Sequence, residues 1–146
     1  MSMFYYIKIT SDTGKEIEID GRDESEIKDF LKSVVVWVDT TEKDVKERSH
    51  SVLNRVSIKL DIKTKTNAIC KDLMDWAIES SGDDVNRLVH IDIYDQTQVI
   101  RSFDIQKMFV EDYKESYGVE KANIAELELI QEANNAKNFL HDTARL

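Results

Sequence analysis

Three histidines, one cysteine and a few paired carboxylates are the residues of this chain able to do acid–base, nucleophilic or metal chemistry. His50, His90 and His141 are scattered, with no metal-ligand spacing among them. Val89 and Ile91 flank His90, which puts its ring on the polar face of a strand, away from the core. Asp92 shares that face, so a ligand trio would need another histidine from elsewhere, and nothing in the spacing requires one. Cys70 stands between Ile69 and Leu73 near the start of a helical stripe. A helix N-terminus can lower a thiol pKa. A nucleophile also needs a nearby base, and none is suggested locally, so Cys70 reads as a small core residue.

The pairs Asp83/Asp84, Glu111/Asp112 and Glu126/Glu128 could form an acid–base set or a cation site. One lies in a turn and the others on polar strand faces or ends, which makes them solvated surface. No glycine-rich phosphate loop, G-x-S-x-G or H-E-x-x-H occurs. Trp37, Trp76 and Met74 read as packing residues. The expectation is therefore no catalytic residue, no metal and no cofactor.

The elements that would position these residues come from a chain of 146 residues, the size of one ordinary domain. At that length a core can form without disulfides or metal. Hydrophobic residues make up 41% and charged residues 34%, a globular composition. The net charge of −9 disfavours nucleic acid and anionic membrane surfaces, both of which call for basic patches. One cysteine excludes an intrachain disulfide and a cysteine-rich metal site. The longest apolar run, Val34–Val38, is far too short to span a bilayer. Met1–Tyr6 lacks a basic region followed by a signal-length apolar stretch, so cytoplasmic synthesis without Sec export is expected. With no proline, every non-terminal backbone N–H is free to join a ladder.

Alternation marks the strands. Phe4–Thr10, with Tyr5, Ile7 and Ile9 on one face, turns at Asp12-Thr13-Gly14 into Glu16–Asp20, with Ile17 and Ile19 inward. Ser25–Leu31 is either a short helical turn or an irregular link. Val34–Asp39 is apolar on both faces, which predicts cover on both. Thr40–Asn54 is charged and without period, a long loop of the kind that carries function. It reads as a mobile surface loop or as a docking arm, with Val52 and Leu53 as apolar anchors. Arg55–Ile62 alternates strictly, Val56, Ile58 and Leu60 against Arg55, Ser57, Lys59 and Asp61.

A helix follows over Thr66–Ser80, capped by Thr64, Thr66 or Asn67. Its stripe is Ile69, Leu73, Trp76 and Ala77, widened by Cys70, Met74 and Ile78. It should lie across the sheet or plug an open barrel end. Arg87–Tyr94 turns at Asp95-Gln96-Thr97 into a long strand, Gln98–Glu115. Phe103 and Ile105 hold one register there, Met108 and Val110 the other, so a bulge is expected near Gln106–Lys107. Asn123–Glu132 is the last strand, and residues 133–146 form a tail, frayed or a short docked helix. The whole reads as a single domain, residues 1–146.

This order of elements resembles the tube proteins of contractile injection systems: the haemolysin-coregulated protein (Hcp) of type VI secretion and related phage tail-tube proteins. The residues that carry the resemblance are Val34-Val35-Val36-Trp37-Val38 leading into the loop Thr40–Asn54, then Arg55–Ile62 and the sole helix with Ala68, Leu73 and Trp76. Arg87–Tyr94, Val99–Lys114 and Ile124–Gln131 complete the set. The short Gly14 turn between the first two strands departs from the more elaborate N-terminal segment of many such proteins.

The resemblance implies a mainly β fold, a small antiparallel β-barrel with one central α-helix. It implies a structural, non-enzymatic subunit of hexameric rings that stack into a hollow tube and translocate cargo. Sheath, baseplate or spike and cargo proteins would be its partners, and it would be cytoplasmic until injected with the tube. Arg55, Ser57, Lys59 and Asp61 would face the lumen. Asp44, Lys46, Glu47, Arg48, Val52 and Leu53 would make the contacts between subunits. The competing readings are a small-molecule-binding β-barrel with the helix over its mouth, and a barrel enzyme using His90 with nearby carboxylates.

Overall fold

The computed structural model describes residues 3–40, 52–79, 81–131 and 140–141. Its strands are β1 (Met3–Ser11), β2 (Glu16–Gly21), β3 (Leu31–Thr40), β4 (Val52–Asp61), β5 (Arg87–Asp95), β6 (Gln98–Ser116), β7 (Ile124–Gln131) and β8 (Leu140–His141). One α-helix, α1 (Asn67–Ile78), follows a 3-10 turn at Thr64–Thr66. The strands form one antiparallel sheet in the order β2-β1-β5-β6-β7-β4-β3, with β8 beside β6. The fold is mainly β with a single helix, as the alternation and the resemblance both imply. β2 and β3 end the sheet, and no ladder joins them among the described residues.

Most inward positions read from the period-2 pattern of the central strands are buried, while Tyr5, and Ile93 opposite it at the margin of the same face, are only partly so. Ile7, Ile9, Val56, Ile58, Leu60, Val89, Ile91, Leu127 and Leu129 are at most 1% exposed, and Ile17 and Ile19 on β2 join them in one core. Burying such side chains contributes roughly 1.5–3 kcal/mol each, which fixes which face of the sheet turns inward.

β6 is 19 residues long and bridges two long neighbours, β5 and β7, besides the short β8. Its first part pairs with β5 and its second with β7. The sharing requires the strand to re-aim its side chains. Ile105 and Met108 are three apart yet both fully buried, which strict alternation forbids. The register explains it: Val89 stands opposite Ile105, but Arg87 stands opposite Met108, so β6 carries one extra residue. Lys107 takes the strain with φ of 59°. The expected bulge at Gln106–Lys107 is thus present. A second slip, between Val110 and Asp112, sets Glu111 out of the β7 ladder.

Between β2 and β3 the chain makes turns rather than a helix, with Ser25 N–H bonded to Arg22 O and Phe30 N–H to Ile27 O. Gly21 closes this corner tightly. A Cβ there would lie 2.9 Å from the Tyr5 carbonyl oxygen and 3.0 Å from Leu31 Cδ2, so only glycine lets β1, β2 and the start of β3 meet.

The helix is shorter and less buried than its sequence suggests. Thr66, fully buried, accepts the Lys63 N–H at 2.8 Å and donates to the Asp61 carbonyl at 2.7 Å, tying the helix start to the end of β4. Thr66 supplies no side-chain cap to α1 itself. Cys70, Leu73 and Trp76 face the core, and the Trp76 indole N–H donates to Val85 O at 2.8 Å. Met74 and Ile78, read as part of the stripe, are 39% and 70% exposed. Among the described residues the helix packs mainly on β2 and β6, through the narrower stripe Cys70, Leu73 and Trp76. Glu79 N–H bonds Trp76 O at the helix end, and Gly82 with φ of 99° lies in the turns that follow.

The tail differs from both sequence expectations where it is described. Leu140–His141 is neither frayed nor helical but a short strand paired to Ser102 and Phe103 of β6.

Candidate functional site

The outer face of β3 and β4 is the first surface the sequence singled out. Arg55, Ser57 and Lys59 do share it, opposite the core-facing Val56, Ile58 and Leu60. Lys59 is exposed, while Ser57 and Arg55 are half-buried. Arg55 is a clamp rather than a free charge. Its Nε donates to Asp39 at 2.8 Å and its Nη1 to Glu111 at 2.8 Å, reaching over β7 to the bulged residue of β6. Burial opposes its charge, and the bonds to Glu111 and Asp39 outweigh that and raise its pKa. Asp61 departs from the row. It is 6% exposed, with Lys32 Nζ 3.4 Å from one carboxylate oxygen, because the segment before β3 folds over it and Phe30 O takes its N–H.

β3 itself carries the largest departure from a finished surface. Val35 and Trp37 stand opposite Ser57 and Arg55, on the same outer face, and are 50% and 37% exposed; Val38 is 46% exposed. The sequence predicted cover on both faces of this strand. Among the described residues one face packs on the core and the other is left half open. Trp37 and Met74 are therefore not interior packing residues, whereas Trp76 at 2% exposure is.

Of the loop residues, Asp44, Lys46, Glu47 and Arg48 lie outside the described residues, as does His50. Val52 and Leu53 fall on β4, opposite Thr40 and Asp39, rather than at a loop end. The hairpin ladder simply runs further than its hydrophobic period.

A polar network on the outer face of β5 and β6 is the second surface. His90 Nδ1 lies 2.6 Å from Asp104 and Nε2 lies 2.9 Å from Asp92, and the Ser102 hydroxyl donates to the other Asp92 oxygen at 2.6 Å. Tyr6 stands edge-on to His90 at 6.3 Å, donates its hydroxyl to Glu18 at 2.7 Å, and lies under the Arg22 guanidinium. The order serine–carboxylate–histidine–carboxylate is wrong for a nucleophile. The hydroxyl is bonded to a carboxylate and not to the imidazole, and both ring nitrogens are engaged by carboxylates. The His90–Asp92 spacing was visible in sequence; Asp104 and Ser102 enter only through the β5–β6 register.

The other candidates are structural. Burial pushes the Cys70 thiol pKa up, the opposite of an activated nucleophile. Hydrogen bonds from Thr13 and Ser11, with Lys15 alongside, hold Asp84 down to about 2. Glu126 pairs with Lys114 at 3.4 Å. Among the described residues no group of three or more His, Cys, Asp or Glu is placed to hold a metal. A cleft of about 450 Å³ by Asp20, Arg22, Asp23 and Tyr94, and one of about 290 Å³ by Lys15, Asp72, Asp75 and Arg87, are open and lined largely by charge. Neither has the enclosed apolar form of a small-molecule site. No described helix is long and apolar enough to cross a membrane.

No family model matches the sequence, and no curated protein matches it. Solved structures do. Hcp1 from Salmonella typhimurium superposes with a TM-score of 0.53 at 12% identity, over 86% of this chain and 81% of that one. A second Hcp protein gives 0.53 at 7% identity, over 88% of both chains. At these identities the likeness is one of fold, and the chain has the fold of the Hcp proteins.

Proposed function

We propose that this chain is a structural subunit that closes into hexameric rings, which stack into the inner tube of a contractile injection system. The observation that carries the reading is the outer face of β3, at one end of an open sheet of Hcp fold, where Val35 and Trp37 stand exposed. A cyclic assembly covers the β3 margin of this face with the next copy, leaves the β4 row beside it open, and leaves no sheet end free. Arg55, Ser57 and Lys59 line the bore in this reading, with Asp61 at its margin. Their charges are paired or mixed, which suits a wet channel that must release what passes. Asp44, Lys46, Glu47 and Arg48, with Val52 and Leu53, make contacts between subunits or rings. Sheath, baseplate or spike and cargo proteins are the partners. The role is structural rather than enzymatic, and the subunit is made in the cytoplasm and leaves with the injected tube.

Native mass measurement with negative-stain imaging tests this. Six-fold rings are expected at high protein concentration, and a strictly monomeric species without rings overturns the proposal. Deleting residues 42–51 is expected to leave the melting temperature unchanged and to weaken stacking or ring closure.

A further inference from the structure

We propose that His90 is a proton-operated latch: as an imidazolium it ties β5 to the stretch of β6 that receives β8, and its deprotonation loosens β8. The ring makes two short contacts, 2.6 Å to Asp104 and 2.9 Å to Asp92. A neutral imidazole has one N–H and would turn a lone pair toward one of these carboxylates; only the doubly protonated ring can donate to both. His90 stands opposite Asp104 and Asp92 opposite Ser102. One ring therefore joins two rungs of the β5–β6 ladder on the same face, and Ser102 completes the link by donating to Asp92 at 2.6 Å.

The site of β8 coincides with this link. Its only two residues, Leu140 and His141, pair with Phe103 and Ser102. The latch side chains Ser102 and Asp104 bracket Phe103, so the entire β8 ladder rests on backbone that the latch holds.

The groups facing His90 are known from each neighbouring strand. β5 supplies Asp92, and β6 supplies Asp104 and Ser102. From β1 come Tyr6, edge-on at 6.3 Å, and Lys8, opposite His90 in register and drawn toward Glu16 at 3.6 Å. β2 adds Glu18 through the Tyr6 hydroxyl, and β8 sets His141 opposite Ser102. The two carboxylates bonded to the ring, Asp92 and Asp104, are both negative. Burial of the ring opposes its charge, but the bonds and charges of Asp92 and Asp104 prevail and raise its pKa above the ordinary value of 6.5. A raised folded-state value means the stabilisation is full below the unfolded value of about 6.5 and is lost as pH rises through the folded value. The latch is shut in mild acid and opens on the alkaline side.

Ring-proton NMR of His90 and amide exchange at Ser102, Phe103, Leu140 and His141, corrected for intrinsic pH dependence, test this on the full chain. His90 is expected to titrate above 6.5. Protection of those four amides should fall roughly tenfold across the same step, the loss of one charge-assisted bond, while the amides of Ile7 and Leu127 keep theirs. His90→Gln should abolish the step, His141→Gln should retain it, and Asp104→Asn should move it to lower pH. A His90 titrating at or below 6.5, a step that survives His90→Gln, or one that disappears with His141→Gln overturns the proposal.

Discussion

The two ends of the sheet are built differently. β2 turns Ile17 and Ile19 into the core and shows water Glu16, Glu18 and Asp20, which are engaged by Lys8, Tyr6 and Arg22. β3 buries Leu31 at its start and then presents Val35 and Trp37 outward, with Val38 on the other face also about half exposed. A sheet end meant to stay in water is guarded by charge, and β2 is. β3 has β-branched and aromatic side chains where charge would be expected. The contrast teaches that the two ends have different destinies. The outer face of β2 is guarded by paired charge, whereas that of β3 is left half open among the described residues, and in the proposed ring the next copy covers it.

Five substitutions break or sharpen that contrast. Ile19→Ala removes a fully buried side chain of β2 and should cost about 2–5 kcal/mol in denaturant unfolding; a loss under about 1 kcal/mol would mean β2 is not a core strand. Gly21→Ala forces a Cβ to 2.9 Å from the Tyr5 carbonyl oxygen. It should cost about 1–3 kcal/mol, and an unchanged melting temperature would show that the β2 corner is looser than drawn. Tyr6→Phe removes the bond to Glu18 on the charged face of β1 and β2. The expected loss is about 0.5–1 kcal/mol.

Burial and Glu18 push the Tyr6 hydroxyl up to about 12. Its tyrosinate absorbance should therefore appear at lower pH in Glu18→Gln, and an unmoved titration would deny Glu18 that part. Trp37→Ser should change fold stability least, by about 0.5 kcal/mol or less, yet abolish self-association in sedimentation. If it costs as much stability as Ile19→Ala, β3 is as finished as β2 and the contrast fails.

Most of the strands were legible in sequence because a half-buried strand writes its period directly. Val56, Ile58 and Leu60 against Arg55, Ser57 and Lys59 admit one reading. The bulge of β6 was legible for the same reason, since Ile105 and Met108 cannot share a face without an extra residue. The ends of β3 and β4 were not, because Thr40 and Val52 pair through backbone groups that every residue carries. The helix was overdrawn, as Met74 and Ile78 are apolar at stripe positions yet stay 39% and 70% exposed. The burial of Asp61 depends on a turn segment folding over it from a distant part of the sequence. The His90 cluster was half visible. Asp92 is two residues away, but Asp104 and Ser102 come into place only once the ladder between β5 and β6 is set.

One further consequence follows from the length of β6. A single rod of backbone belongs at once to the ladder with β5 and to the ladder with β7. Neither flank can melt without stripping hydrogen bonds from a strand the other still needs, so heat should take the described sheet apart in a single calorimetric transition rather than flank by flank.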